Sequence, residues 1–357
     1  MPEKLAARFG DGLLFRQVEL AEIEDAIEAC YARGWTDGLP VVPPTPELVL
    51  RMLQGTQRAP DEVVGLAPPD YVECAVEKVA INAVLAGCKP EYLPLVLAAV
   101  EAAFLDAFAM QGVLATTYFS SPVVIVNGPV VQRIGMNSGI NALGQGNRAN
   151  ATIGRALQLV IRNVGGGRPG GVNRAVLGNP GKYTFCFAES EENSPWESLA
   201  VERGFAAEAS TVTLFAGDGV QAVMDQISRE PESLARSFAA SLRTVCRTKM
   251  VQASDALLVI SPEHARIFRD AGWSKTRLKE ELHALLQLTQ EEIVRGAGGI
   301  AEGMPPEMIQ DVMSKFRPEG SVIVHADGTS GMFSAIIGGW PNAGPRGTTP
   351  VTVSIKH

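Results

Sequence analysis

The chain has 357 residues, of which 46% are hydrophobic and 20% charged, and its formal net charge is −8. Those are globular values, enough for a sizeable core in two domains or in one large domain with an appendage. The acidic balance disfavours a nucleic-acid partner but leaves room for a local positive pocket that takes an anion.

Residues 17–33 place Leu20, Ile23, Ile27, Cys30 and Tyr31 at three- and four-residue steps, which predicts an amphipathic helix stopped by Gly34. The run GWTDGLPVVPPTP (34–46) holds too many prolines for a helix interior. Thr45-Pro46 then opens a helix to about Leu53, with Thr as N-cap and Pro at the first position. A further helix is expected over 70–86, capped by Asp70 and closed by Gly87, and another from Pro90 to about Met110. The expected organisation is a mainly helical region over 1–115 and an α/β region over 116–357.

Near residue 120 the character changes. PVVIVNGP (122–129) reads as a buried strand. The Gly/Asn-rich stretch 135–147 reads as a long loop, and a helix follows over 148–164. GGGRPGG (165–171) ends that helix and starts a second flexible segment, to about Lys182. Strands are expected at 183–188, 210–215, 256–260 and 321–325, with an edge strand at 350–355. Helices are expected near 219–228, 232–246, from Ser261-Pro262 onward, and over 275–295. Strand–helix alternation predicts an α/β fold with a mostly parallel open sheet flanked by helices.

The five cysteines (Cys30, Cys74, Cys88, Cys186, Cys246) form no CxxC pattern. Their odd number suits reduced thiols and a cytoplasmic setting better than a disulfide framework. The N-terminal residues lack the apolar core of a signal peptide. The longest apolar run, 92–104, contains Pro94 and Glu101 and is too short to span a bilayer, so no membrane is expected.

Several residues could carry chemistry. The loop 135–147 feeds the first turn of a helix, where free amides and the dipole favour an anion, and Arg148 and Arg155 add charge. The other reading is a surface loop whose asparagines occupy left-handed turns. Neither GxGxxG nor a Walker A pattern is present, so no nucleotide is indicated. Asp37 suits proton transfer or an Asx turn. Glu189, Glu191, Glu192 and Glu197 crowd a loop beside Trp196, where a carboxyl could gain a raised pKa. Cys88, before the helix opened by Lys89-Pro90, and Cys186 are candidate nucleophiles or small buried hydrophobes. His325 ends a buried strand before Asp327, Thr329 and Ser330, where open parallel sheets bind ligands.

The expected catalytic set is Glu189, Cys186, Asp37, Cys88 and His325. The expected substrate-contacting set is Asn127, Asn137, Ser138, Asn141, Arg148 and Trp196. The four histidines show no metal-ligand spacing. No cofactor is expected, with an oxygen-liganded divalent ion such as Mg²⁺ left open. The apolar helix surface near 90–110 leaves room for a homo-oligomer.

Four blocks, GWTDGLPVVPPTPELV (34–49), INAVLAGCKPEYLPLVLAAVEA (81–102), NSGINALGQGNRANATIGRALQL (137–159) and GKYTFCFAESEENSPWESLAVERGF (181–205), resemble the larger UGSC-associated bacterial proteins. The later run DALLVISPEHARIFRDAGWSK (255–275) fits the same resemblance. The resemblance implies an association with short selenoprotein-type chains and, for some members, thiol–disulfide activity. This chain has neither CxxC nor UGSC, so a small partner protein would supply the thiol or selenol. Two functional expectations follow: an acid–base or Cys-assisted lyase, hydratase or hydrolase for a small carboxylate or phosphate, or a subunit of such a thiol/selenol complex.

Overall fold

The computed structural model describes residues 25–245, 255–294, 305–328, 331–340 and 347–356. Helix α1 (Ala26–Ala32) is capped by Asp25, whose Oδ1 accepts from the amides of Ile27 and Glu28. The portion of the expected helix before residue 25 lies outside the described residues, as do Cys246, Thr329, Ser330 and His357. Helix α2 (Pro46–Leu53) starts as its residues predict, with Thr45 Oγ1 accepting from the Leu48 amide.

The expected helix over 70–86 forms only in its second part. Strands β1 (Val63–Ala67) and β2 (Val72–Ala75) make an antiparallel hairpin, and Asp70 sits in its turn. The β-branched residues there favour pairing, and the helical run begins at α3 (Val76–Ala86). Gly87 ends α3 in the left-handed conformation, with φ 86°. The long expected helix from Pro90 is two, α4 (Leu93–Phe104) and α5 (Met110–Ala115). They are largely buried in the molecule's own core, and no single helix among the described residues is long and apolar enough to cross a membrane.

The α/β part contains β3 (Ser121–Asn127), the short α6 (Val130–Arg133), α7 (Arg148–Asn163), β4 (Cys186–Ala188), the short α8 (Leu199–Glu202) and β5 (Thr211–Met224). It continues with α9 (Pro231–Thr244), β6 (Ala256–Ile260), α10 (Pro262–Asp270), α11 (Lys275–Leu285), β7 (Gln287–Thr289) and α12 (Gln290–Val294). Strands β8 (Val312–Ser314), β9 (Ser321–His325), β10 (Phe333–Gly339) and β11 (Val351–Ser354) complete it. No helix forms at 219–228: residues 219–224 are the end of β5, paired with β10 from Met224↔Phe333 to Gly217↔Gly339, and 225–228 are irregular. The pairing partner is over a hundred residues away, so local pattern could not reveal it. Likewise the helix expected to reach 295 ends at Leu285, and β7 pairs with β8.

The main sheet has the order β4-β3-β5-β10-β6-β9, with β11 also on β5. Only β3–β4 and β6–β9 are parallel; the other pairings are antiparallel, so the sheet is mixed rather than mostly parallel. The returns through β5 and β10 cause this, because neither is reached by a right-handed helical crossover.

The sheet is curled, and alternation along its strands shows how. Val123 and Ile125 of β3, Leu257 and Val259 of β6, and Val322 and Val324 of β9 share one core with Phe187, Phe215 and Ile337. The alternate residues Val124 and Val126 belong to a second core with α3, α4 and α7. Leu258, Ile260 and Ile323 belong to a third, with α9, α10 and α11. Strands apolar on both faces are therefore covered by helices outside and by other strands inside. The terminal strands meet where the Ser190 amide, after β4, donates to His325 O of β9 at 2.9 Å.

Candidate functional site

Three of the expected site residues lie where those terminal strands meet. Asn127 ends β3, Glu189 follows β4 and His325 ends β9, and all three are buried. Asn127 Nδ2 donates to Glu189 Oε2 at 2.7 Å and to Glu191 Oε1 at 2.9 Å. Glu189 Oε2 also accepts from the Leu199 amide at 2.8 Å, and Oε1 from the His325 amide at 3.4 Å. Burial pushes the Glu189 carboxyl up, only partly opposed by Lys275 and these donors. Burial pulls the His325 imidazole down, against the pull of Asp327. Asn127 Oδ1 has no partner among the described residues, and the His325 ring finds only the Ile260 backbone. The carboxyl thus ties together three chain segments, the ends of β3 and β9 and the start of α8.

The other expected residues are spent on structure. Asn137 Oδ1 accepts from Gly139 N and its Nδ2 donates to Ile140 O, both at 2.9 Å. Asn141 takes a left-handed φ of 60° and donates to Gln145 O. Ser138 enters through its carbonyl, which accepts from Asp327 N at 2.8 Å. The buried Asn150 holds the loop from below, through Asn137 N, Asn137 O and Ala142 O. Arg148 Nε and Nη2 donate to Gly87 O at 3.0 and 2.9 Å, capping the end of α3. The 135–147 stretch is a self-bonded loop, in line with the turn reading of its asparagines.

Asp37 forms a two-pronged pair with Arg155, Oδ2 to Nε and Oδ1 to Nη2, each 2.8 Å. Burial alone would raise its pKa; the Arg155 bonds and charge outweigh that and hold it below the ordinary carboxylate range. This fixes the loop 34–40 to α7 and removes Asp37 as a proton carrier near neutral pH. Trp196 is a core anchor whose Nε1 donates to Trp273 O at 2.9 Å and whose ring packs on Phe268. Cys88 and Cys186 are buried free thiols. Burial pushes Cys88 up to about 12 and raises Cys186 as well, the opposite of an activated nucleophile.

A different constellation surrounds a cavity of about 480 Å³ between α5, the start of β3, the second half of α7 and the segment 167–183. That size suits a small molecule. Ser120 and Ser121 lie at its wall, 0% and 1% exposed, and neither hydroxyl has a partner. Arg162, in the last turn of α7, has a buried Nε without a partner, and burial and the charge of Arg168 depress its pKa. Arg162 stays a cation regardless. Lys182 reaches only Asn173 Oδ1, at 3.4 Å, and burial lowers it to about 8. Among the described residues neither cation has a carboxylate within ion-pairing distance; the nearby Asp37 is paired with Arg155 and only partly offsets the lowering of Arg162.

Behind this wall, a Cβ on Gly181 would sit 2.7 Å from Asn179 Oδ1 and 3.1 Å from Ser121 Oγ, so glycine there lets the two lining segments approach. Sequence reading noticed the Gly-rich run but not its companions. The available signal was a helix ending in Arg162, then GGGRPGG, then Lys182 after Pro180-Gly181. Among the described residues no group of three or more His, Cys, Asp or Glu side chains is arranged to hold a metal ion. In comparisons with known proteins, no family model, no curated protein and no solved structure matches the chain.

Proposed function

We propose that this chain is an enzyme acting on a small carboxylate- or phosphate-bearing molecule, held in the cavity beside α7. The observation that carries the reading is a pair of cations without carboxylate partners, Arg162 and Lys182, lining one cavity with two buried, unpartnered hydroxyls. Buried donors without acceptors cost stability, about 1–3 kcal/mol each, and an anion would relieve that cost. Arg162 would hold the anion, with Ser120 and Ser121 as further donors. Lys182, poised near neutrality, would move the proton. No helix N-terminus is needed for this site, in contrast to the expectation for Arg148. Lyase, hydratase or hydrolase chemistry fits such a site, in a cytoplasmic protein.

The test is urea unfolding with orthophosphate and with succinate, for the natural chain and for Arg162→Met. Stabilisation by either anion that Arg162→Met abolishes supports the reading. Equal stabilisation of both proteins, or none, refutes it.

A subunit role beside a small thiol or selenol protein is the second reading. The exposed Val176 and Leu177, at 70% and 84%, favour it, because Leu177 lies at the cavity wall and both could meet a partner. Membership of the larger UGSC-associated family is part of this second reading and rests on the sequence blocks, one of which carries Lys182.

A further inference from the structure

We infer that Lys182 condenses with the carbonyl group of its substrate to form an imine, and that the substrate class is therefore a small oxo acid whose carboxylate lies on Arg162. This deepens the proposed function and rests on its anion site.

The lining of the cavity limits the chemistry. It contains no histidine, cysteine or glutamate, and its one aspartate, Asp37, is locked in the Arg155 pair. The acid–base groups left in this lining are the exposed Tyr183 phenol and the Lys182 amine, of which the amine can add to a carbonyl carbon; its single bond, to Asn173, is long. An amine of lowered pKa in a partly dry pocket is a nucleophile toward carbonyl carbon.

The step balances without any co-reactant. The neutral amine's lone pair forms the C–N bond, and the π pair of C=O moves to oxygen, which takes a proton. Nitrogen gives up one of its two protons as the carbinolamine forms, and the hydroxyl takes a second proton from solvent as the C–O bond breaks and water leaves. The nitrogen lone pair forms C=N, leaving a protonated imine on Nζ. Electron withdrawal by that cation would ease loss of a proton or of carbon dioxide from the neighbouring carbon, in keeping with lyase chemistry.

The experiment treats the full chain at pH 7 with pyruvate and cyanoborohydride, then maps adducts by intact mass and peptide mass spectrometry. An amine near 8 is uncharged about three hundred times more often at this pH than an ordinary lysine, so Lys182 should outpace surface lysines by about two to three orders of magnitude. Labelling should be absent in Lys182→Arg, fall sharply in Arg162→Met and be suppressed by orthophosphate. Labelling spread over surface lysines and indifferent to Arg162→Met overturns the inference. So does no adduct on Lys182 while pyruvate still stabilises the chain against urea through Arg162, an outcome that leaves the anion site standing. No adduct and no Arg162-dependent stabilisation overturns both.

Discussion

Replacing Lys182 by Met should stabilise the free protein at neutral pH. Burial lowers the amine from its ordinary 10.5 to about 8, so below pH 8 the folded state carries a charge it solvates poorly. The full difference corresponds to about 3 kcal/mol, and partial exposure to solvent reduces it to about 1–2 kcal/mol. The sign follows from proton binding. Between pH 8 and 10.5 the unfolded chain holds more protons than the folded one, so the natural protein gains stability as pH rises through that window. The advantage of Lys182→Met is therefore largest at pH 7 and fades toward pH 10.5. Urea unfolding at pH 7, 8.5 and 10 measures it, and saturating orthophosphate at pH 7 should narrow the gap by stabilising the natural chain more than the variant, which keeps Arg162 but loses the Lys182 cation. A variant no more stable at pH 7, or a gap that widens with pH, would refute the view that Lys182 is an amine held in an unfilled anion site.

Other expectations concern the residues assigned to structure. Arg148→Ala removes the two bonds to Gly87 O and should cost about 1 kcal/mol in chemical unfolding, while leaving orthophosphate affinity unchanged in calorimetry. Asp37→Asn breaks the half-buried pair with Arg155 and should cost about 2–4 kcal/mol at pH 7. Because the folded Asp37 carboxyl is held below its unfolded value, that gap should close in acid, as pH falls through the folded pKa. Trp196→Ala empties a core site and should cost about 3–5 kcal/mol, read from the shift in denaturant midpoint.

The elements that were legible in the chain share a property: their cause is local. Thr45-Pro46, Ser261-Pro262 and the run SVIVH each carry cap or burial signals within a few residues, and α2, α10 and β9 start or lie where those signals stand. The second half of β5 and all of β10 did not, because each exists through the other. For the same reason the mixed direction of the sheet was hidden. Asn127 and Glu189 meet because β3 and β4 are parallel neighbours, and His325 joins them because the curl brings the end of β9 to β4, which no local signal shows. Arg148 misled for a physical reason: a cation in the first turn of a helix marks anion binding only if its guanidinium is free, and here the Gly87 carbonyl claims it. The cavity residues Ser120, Arg162 and Lys182 are spread over three segments with no fixed spacing, so no motif could join them.

The measurement closest to the central claim is diffraction from crystals soaked in selenate, an anomalously scattering tetrahedral anion. The account predicts selenate in the cavity beside α7, within hydrogen-bond distance of the Arg162 guanidinium and of Ser120, Ser121 or Lys182. Selenate bound instead at Arg148 and the 137–147 amides, with the cavity beside Arg162 left without it, would contradict the account.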